Sequence, residues 1–192
     1  MSSIQSSNLP QAYLEIILGP MFSGKTSRLL EIYKQCIFCN IPVAVINHSS
    51  DVRYDISTTI LSTHDQHKIP CFSFTTLSSS LSNPEISNAQ VILINEGQFF
   101  EDLFQTVSQF LQQSKKIYIA GLDGDFERKK FGTILDLIPL CDKVTKLASL
   151  CSKCKDGTPG IFSMRLTHEK QQTLVGADNY IPVCRNCYQS NL

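Results

Sequence analysis

No charge of either sign predominates in this chain. Seventeen basic residues balance 17 acidic ones among 192, and the formal net charge is zero. A broad nucleic-acid-binding surface normally carries a basic excess, so no nucleic-acid partner is expected. No apolar run reaches the ~20 residues that a spanning helix needs, so no membrane contact is expected either. The opening stretch, MSSIQSSNLPQAY, is polar and Ser-rich and has no apolar signal core. It predicts a disordered tail over 1–12 and a soluble, cytoplasmic protein. There is no internal repeat. The hydrophobic fraction of 42% supports a true core, and the length suits one domain with a small appendage. Without a signal, the eight cysteines do not form a secreted disulfide framework. Six of them fall in C-x-x-C pairs, which points to metal or redox chemistry.

What is present is a strand–helix alternation. Strands are expected at 14–18, 42–46, 71–74, 91–94 and 116–120. Helices are expected at 27–40 and about 101–113, with helical turns near 77–81 and from 133. The first helix should bury Leu29, Leu30, Tyr33 and Ile37. This order predicts an α/β fold, a P-loop NTPase-like parallel sheet with helices on both faces, over 13–148. From Cys151 the pattern changes to short strands and turns, and a second, smaller unit is expected over 149–192.

Gly19-Pro20-Met21-Phe22-Ser23-Gly24-Lys25-Thr26 fits the phosphate-loop pattern G-x-x-x-x-G-K-[ST] without a mismatch. A strand precedes it and a helix follows, as the mechanism requires. Backbone amides and the helix N-terminus cradle phosphate oxygens, Lys25 reaches the outer phosphates, and the Thr26 hydroxyl is placed to ligate Mg²⁺. The bland alternative, a Gly-rich turn with an exposed lysine, does not explain both flanks. The strand Val91–Ile94 ends in Asn95-Glu96-Gly97-Gln98. In open α/β sheets ligands sit beyond the carboxyl ends of strands. A glutamate there, beside a triphosphate, suits a general base. A solvated turn carboxylate is the competing reading, and the phosphate loop tips the balance.

Cys151-x-x-Cys154 and Cys184-x-x-Cys187 give four thiolates in two tight turns, the donor set of a structural Zn²⁺ site. Cys36 and Cys39 lie within the expected first helix and read as buried thiols, as do the single Cys71 and Cys141.

Together these motifs resemble the cellular and poxvirus-type thymidine kinases, in which a P-loop domain precedes a zinc ribbon with a lasso loop. The resemblance rests on GPMFSGKT at 19–26, Asp51-Val52-Arg53-Tyr54, Ser62-x-His-Asp65, EGQFF at 96–100, GLDGDFERKKFG at 121–132, Gly176 to Tyr180 and the final cysteine pair. It implies transfer of the ATP γ-phosphoryl group to the 5′-hydroxyl of thymidine or deoxyuridine, with Mg²⁺. By resemblance, Glu96 is the base and Lys25 and Arg53 stabilise phosphoryl charge. Residues 19–26, Asp51, Val52, Arg53, Asn95, Glu96, Gly97 and Gln98 would surround ATP. Met21, Phe99, Leu122, Phe126 and Phe131 would form the nucleoside pocket. A lasso over about 157–180, with Gln171, Gln172, Thr173, Leu174, Val175 and Tyr180, would close over it. The family also implies a homotetramer built from dimers.

Two positions depart from the pattern. Asn95 stands where the family has Asp, and Val175-Gly176 where it has Gly-Gly. The competing functions are another P-loop deoxynucleoside or nucleotide kinase, and a zinc-ribbon ATPase acting on nucleic acid. Zero net charge speaks against the second.

Overall fold

The computed structural model describes residues 11–50, 60–62, 68–174 and 176–190. In chain order the elements are β1 (Tyr13–Leu18), α1 (Lys25–Phe38), β2 (Val43–His48), β3 (Ile60–Ser62), β4 (Lys68–Pro70), β5 (Phe72–Phe74), α2 (Pro84–Asn88), β6 (Val91–Ile94), α3 (Leu103–Gln112), β7 (Lys116–Gly121) and β8 (Lys143–Lys146). Then come β9 (Ser149–Leu150), β10 (Pro159–Gly160), β11 (Phe162–Arg165), β12 (Tyr180–Val183) and α4 (Arg185–Gln189). Six strands form one parallel sheet in the order β5-β2-β6-β7-β1-β8.

The central strands are apolar on both faces because both faces are covered. All four residues of β6 are buried. On one face α1 contributes Leu29, Leu30, Ile32 and Cys36. On the other lie Ile86 of α2, Leu103, Val107 and Phe110 of α3, and Ile134 and Leu137 of a 3₁₀ segment over Ile134–Leu140. The buried stripe of α1 differs from the expected one: Ile37 is 53% exposed. Positions 29, 32 and 36 follow the i, i+3, i+7 spacing that faces the sheet, and Ile37 is rotated ~100° from Cys36. Cys39 follows the last turn and is exposed, and Cys141 is half-buried, so of the four thiols read as buried only Cys36 and Cys71 are.

Four elements, α2, β3, β4 and β8, have no counterpart among the expected ones. The α2 helix starts at a capping Asn83, whose Oδ1 accepts from the amides of Glu85 and Ile86, with Pro84 in the first turn. The β3 and β4 strands pair antiparallel, Ile60 with Pro70 and Ser62 with Lys68. The β8 strand, KVTK, carries exposed lysines on the sheet edge, which is how edges avoid further pairing.

Beyond β8 the chain leaves the sheet. The β9–β10 and β11–β12 pairs are antiparallel, and Cys151, Val183, Cys184 and Tyr188 form a small core with Phe162, Met164 and Ile181. Residues 159–165 are thus mostly strand, and the open loop of this unit runs over 166–179. That is shorter than the lasso expected from 157, because the β10 and β11 pairings take up its first part. Among the described residues no helix is long and apolar enough to cross a membrane.

Candidate active site

Parallel pairing brings the carboxyl ends of the strands to one edge. Leu18 pairs with Gly121, Ile94 with Ile119, and Ile46 with Ile94. The segments that follow β1, β2, β6 and β7 therefore emerge together, where ligands bind in such sheets.

After β1 the chain turns through residues 19–24 into α1. Gly24 holds φ 83°, and no side chain caps the first turn of the helix. The leading amides of such a first turn point out of the helix end, where an anion binds. The Lys25 ammonium is buried and donates to the Pro20 carbonyl at 2.7 Å. The Thr26 hydroxyl donates to Asn95 Oδ1 at 3.4 Å, and Asn95 Nδ2 donates to Asn47 Oδ1 at 2.9 Å. This is notable because β7 lies between β1 and β6, so the strand bearing Asn95 is not the immediate neighbour of the phosphate-loop strand. The start of α1 spans the gap.

Glu96 is buried and sits in the left-handed region, φ 54° and ψ 42°. Its Oε2 accepts from Gln98 Nε2 at 2.6 Å. A left-handed conformation is unfavourable for a side chain with Cβ, and functional sites are where such conformations collect.

One cavity joins these groups. Met21, Phe22, Ser23, Gly24, Lys25, Thr26 and Ser27 line its phosphate-loop side. Glu96, Phe99, Leu122 and Phe131 form the opposite wall, with the Phe99 and Phe131 rings edge to face at 5.4 Å. Gln172, Thr173, Leu174, Gly176 and Tyr180 close it from the loop over 166–179, and Ser50 completes the rim. An apolar slot with few polar groups, opening onto a phosphate loop, suits a small ligand bearing a phosphate acceptor.

Several expected site residues lie outside that lining. Gly19, Pro20, Asn95, Gly97 and Gln98 stand behind it. Phe126 stacks under the Arg165 guanidinium, 3.7 Å from its ring centre, and its carbonyl accepts from the Tyr188 hydroxyl. Gln171 turns its side chain to solvent, while its carbonyl accepts from Arg165 at 2.6 Å. Asp51, Val52, Arg53 and Val175 fall outside the described residues.

Residues that sequence reasoning passed over organise the loop. Arg165 is buried and donates to the carbonyls of Glu169, Gln171 and Gln172 and to the Tyr180 hydroxyl. Asp125 accepts from Gln172 Nε2 at 2.8 Å and from the amides of Glu127 and Lys129. Ser163, on the same face of β11 as Arg165, accepts from the Met21 amide at 2.9 Å. The available signal was an arginine ending the alternating strand FSMR, and an aspartate inside a tight turn.

The cysteines form a separate cluster. The sulfurs of Cys151, Cys154, Cys184 and Cys187 all lie within 4.8 Å of one another. Cys154 is 3.4 Å from Cys187 and 3.8 Å from Cys184. Sulfurs at the corners of a tetrahedron about a metal at ~2.3 Å are ~3.8 Å apart, so the set fits one such ion. Burial pushes the Cys151 thiol up, but the amides of Cys154, Cys184 and Lys153 outweigh it and bring the pKa down to about 6. Hydrogen bonding from the neighbouring sulfurs holds the Cys154 thiol up, and a bound metal would take all four sulfurs as thiolates. The four-cysteine group with its two short antiparallel pairs is consistent with a zinc ribbon.

Comparison with known proteins accords with this arrangement. A family model described as thymidine kinase matches residues 12–188. The thymidine kinase of sheeppox virus (strain KS-1) is 40% identical over 178 residues, covering 92% of this chain and 96% of that protein. The thymidine kinase of Oryza sativa subsp. japonica is 41% identical over 181 residues, covering 91% of this chain and 65% of that protein. The protein named thymidine kinase, cytosolic, of Bos taurus is 37% identical over 179 residues, covering 91% of this chain and 71% of that protein. With a family match that extends over nearly its whole length, this chain belongs to the thymidine kinase family, a family of enzymes.

Proposed function

We propose that the protein transfers the γ-phosphoryl group of ATP to the 5′-hydroxyl of thymidine, giving dTMP and ADP, and that deoxyuridine is a second acceptor. The observation that carries this reading is the single cavity in which the phosphate loop, the Glu96 carboxylate and the slot closed by Thr173, Leu174, Gly176 and Tyr180 meet. Each part has a role in phosphoryl transfer, where positioning and charge stabilisation do most of the work.

The phosphate loop binds the triphosphate, and Lys25 exchanges the Pro20 carbonyl for a phosphate oxygen. Phe99, Leu122 and Phe131 hold the nucleoside on one side, and the loop residues Gln172, Thr173, Leu174 and Tyr180 exclude water on the other. Glu96 accepts the 5′-hydroxyl proton as the oxygen attacks the γ-phosphorus. Arg53 stabilises charge on the transferring group, a role that rests on the family resemblance. Thr26 and Asn95 are the residues to hold Mg²⁺, and that ion would neutralise phosphate charge. Cys151, Cys154, Cys184 and Cys187 would hold a structural Zn²⁺ tying both ends of the 149–192 unit, and the P-loop domain is 13–148. The same reading includes cytosolic nucleotide salvage and a homotetramer.

The test is a nucleoside panel with ATP and Mg²⁺, read as nucleoside-dependent ADP release. Thymidine and deoxyuridine should stimulate it, and purine deoxynucleosides should not. Stimulation by purine deoxynucleosides alone would overturn the proposal.

A further inference from the structure

We infer that Gln98 is a positioning residue that aims the Glu96 carboxylate into the cavity, rather than a phosphate ligand. The inference rests on the proposal above that Glu96 is the base. Gln98 stands behind the cavity wall and is 3% exposed. Its amide is used at both ends. Oε1 accepts from the Leu122 amide at 3.0 Å, and Nε2 donates to Glu96 Oε2 at 2.6 Å. The orientation follows from chemistry: a backbone N–H can meet only the oxygen, which leaves the NH₂ for a carboxylate. Both residues joined in this way, Leu122 and Glu96, line the cavity. The amide therefore ties the reacting carboxylate to the wall that holds the nucleoside.

The surroundings fix Gln98 in place. A Cβ at Gly121 would lie 2.6 Å from Gln98 Oε1 and 2.6 Å from the Ile134 side chain. One at Gly132, where φ is +60°, would lie 2.0 Å from the Gln98 carbonyl oxygen. Two segments after β6 thus give up side chains where the Gln98 backbone and amide pass. Glu96 needs such a hold. Its backbone is left-handed and its side chain has several rotatable bonds, so each donor it meets narrows the positions the carboxylate samples. Among the described residues the other charged group lining the cavity is Lys25, across on the phosphate side. Its attraction would draw the carboxylate toward the phosphates. A donor behind Glu96 opposes that pull.

A plain packing role for Gln98 predicts something different, and two substitutions separate the cases. Gln98→Met keeps the length and loses both hydrogen bonds. Gln98→Glu keeps an acceptor for Leu122 N–H but turns a second carboxylate on Glu96. At pH 8, both should lower kcat by roughly 10–100-fold, the scale of a misplaced reacting group. KM for ATP and for thymidine should stay within about threefold. In the Glu96→Gln background, Gln98→Met should change kcat by less than about twofold, because a residue that acts through Glu96 has nothing further to lose. Thymidine binding by calorimetry reports the fold of each variant. If Gln98→Met does not fold, Gln98→Glu, which keeps the Leu122 contact, carries the test. Wild-type kcat in Gln98→Glu, or an equal further loss in the Glu96→Gln background, would overturn the inference alone. Near-normal turnover of Glu96→Gln itself would overturn the assignment of the base, and this inference with it.

Discussion

Replacing Arg165 with Met should cost the enzyme its hold on the nucleoside while sparing ATP. The guanidinium makes four hydrogen bonds, to the carbonyls of Glu169, Gln171 and Gln172 and to the Tyr180 hydroxyl, at 2.5–3.0 Å. It also lies 3.7 Å from the centre of the Phe126 ring. Three of the four acceptors belong to the loop over 166–179, so one side chain gathers the segment that closes the cavity. The net value of an intramolecular hydrogen bond is about 0.5–1.5 kcal/mol. Water recovers part of this when the loop opens and the carbonyls are hydrated. A working figure for the preference for the closed loop is therefore about 2–3 kcal/mol, or roughly 30–150-fold in the apparent affinity for a ligand that needs it closed. Arg165→Met keeps much of the volume and removes every donor. Thymidine KM should rise by that factor, and ATP KM should change by less than about threefold, because Lys25 and Thr26 sit on α1. Arg165→Lys should rescue little, since one ammonium cannot span the same fork of acceptors. The assay is initial rate against each substrate, with limited proteolysis of the free protein to report loop opening. A folded Arg165→Met enzyme with unchanged thymidine KM would refute the reasoning.

Other expectations follow from the same geometry. Asn95→Asp should lower the Mg²⁺ concentration for half-maximal rate, because a carboxylate beside Thr26 brings the charge that an amide oxygen lacks; an unchanged or higher value would remove Asn95 from the metal. Metal analysis should give about one zinc per chain, as one four-sulfur site requires, and Cys184→Ser should lower Tm and raise thymidine KM together; active protein without zinc would contradict this. Glu15 is buried, which raises its pKa, but hydrogen bonds from Thr145, Lys143 and Tyr13 outweigh burial and leave it lowered. A depressed carboxylate stabilises the fold above its unfolded value of about 4.3 and loses that contribution as pH falls through the folded value. The Tm advantage of wild type over Glu15→Gln should thus shrink between pH 6 and pH 3, and a gap that widens on acidification would reverse the sign.

The legible parts of the fold were those where one physical demand acts alone. The β6 run VILI is apolar because both sheet faces are covered, and the phosphate-loop pattern followed a strand and opened a helix. The β8 strand was not legible, because an exposed edge needs lysines and gives no apolar period. The face of α1 was misread by one position, since Ile32 and Ile37 are equally apolar and only the sheet decides between them. In the site, the motif residues Lys25, Thr26 and Glu96 were legible because phosphate chemistry restricts residue types at fixed spacing. Arg165, Asp125 and Ser163 were not, because no residue-type pattern marks their partners: Arg165 holds carbonyls of the loop that follows it, Asp125 the Gln172 side chain 47 residues on, and Ser163 the Met21 amide 142 residues back. The separation of Phe126 from the cavity has the same cause: it depends on where Arg165 packs.

The measurement that tests the account most directly is the product formed from thymidine, ATP and Mg²⁺ by wild type and by Glu96→Gln, resolved by position of the new phosphate. The account predicts one ADP per dTMP, phosphate on the 5′-oxygen alone, and a rate at least ~10²-fold lower for Glu96→Gln with ATP binding retained. Phosphate on the 3′-oxygen, ADP release that ignores thymidine, or equal rates in the two proteins would contradict it.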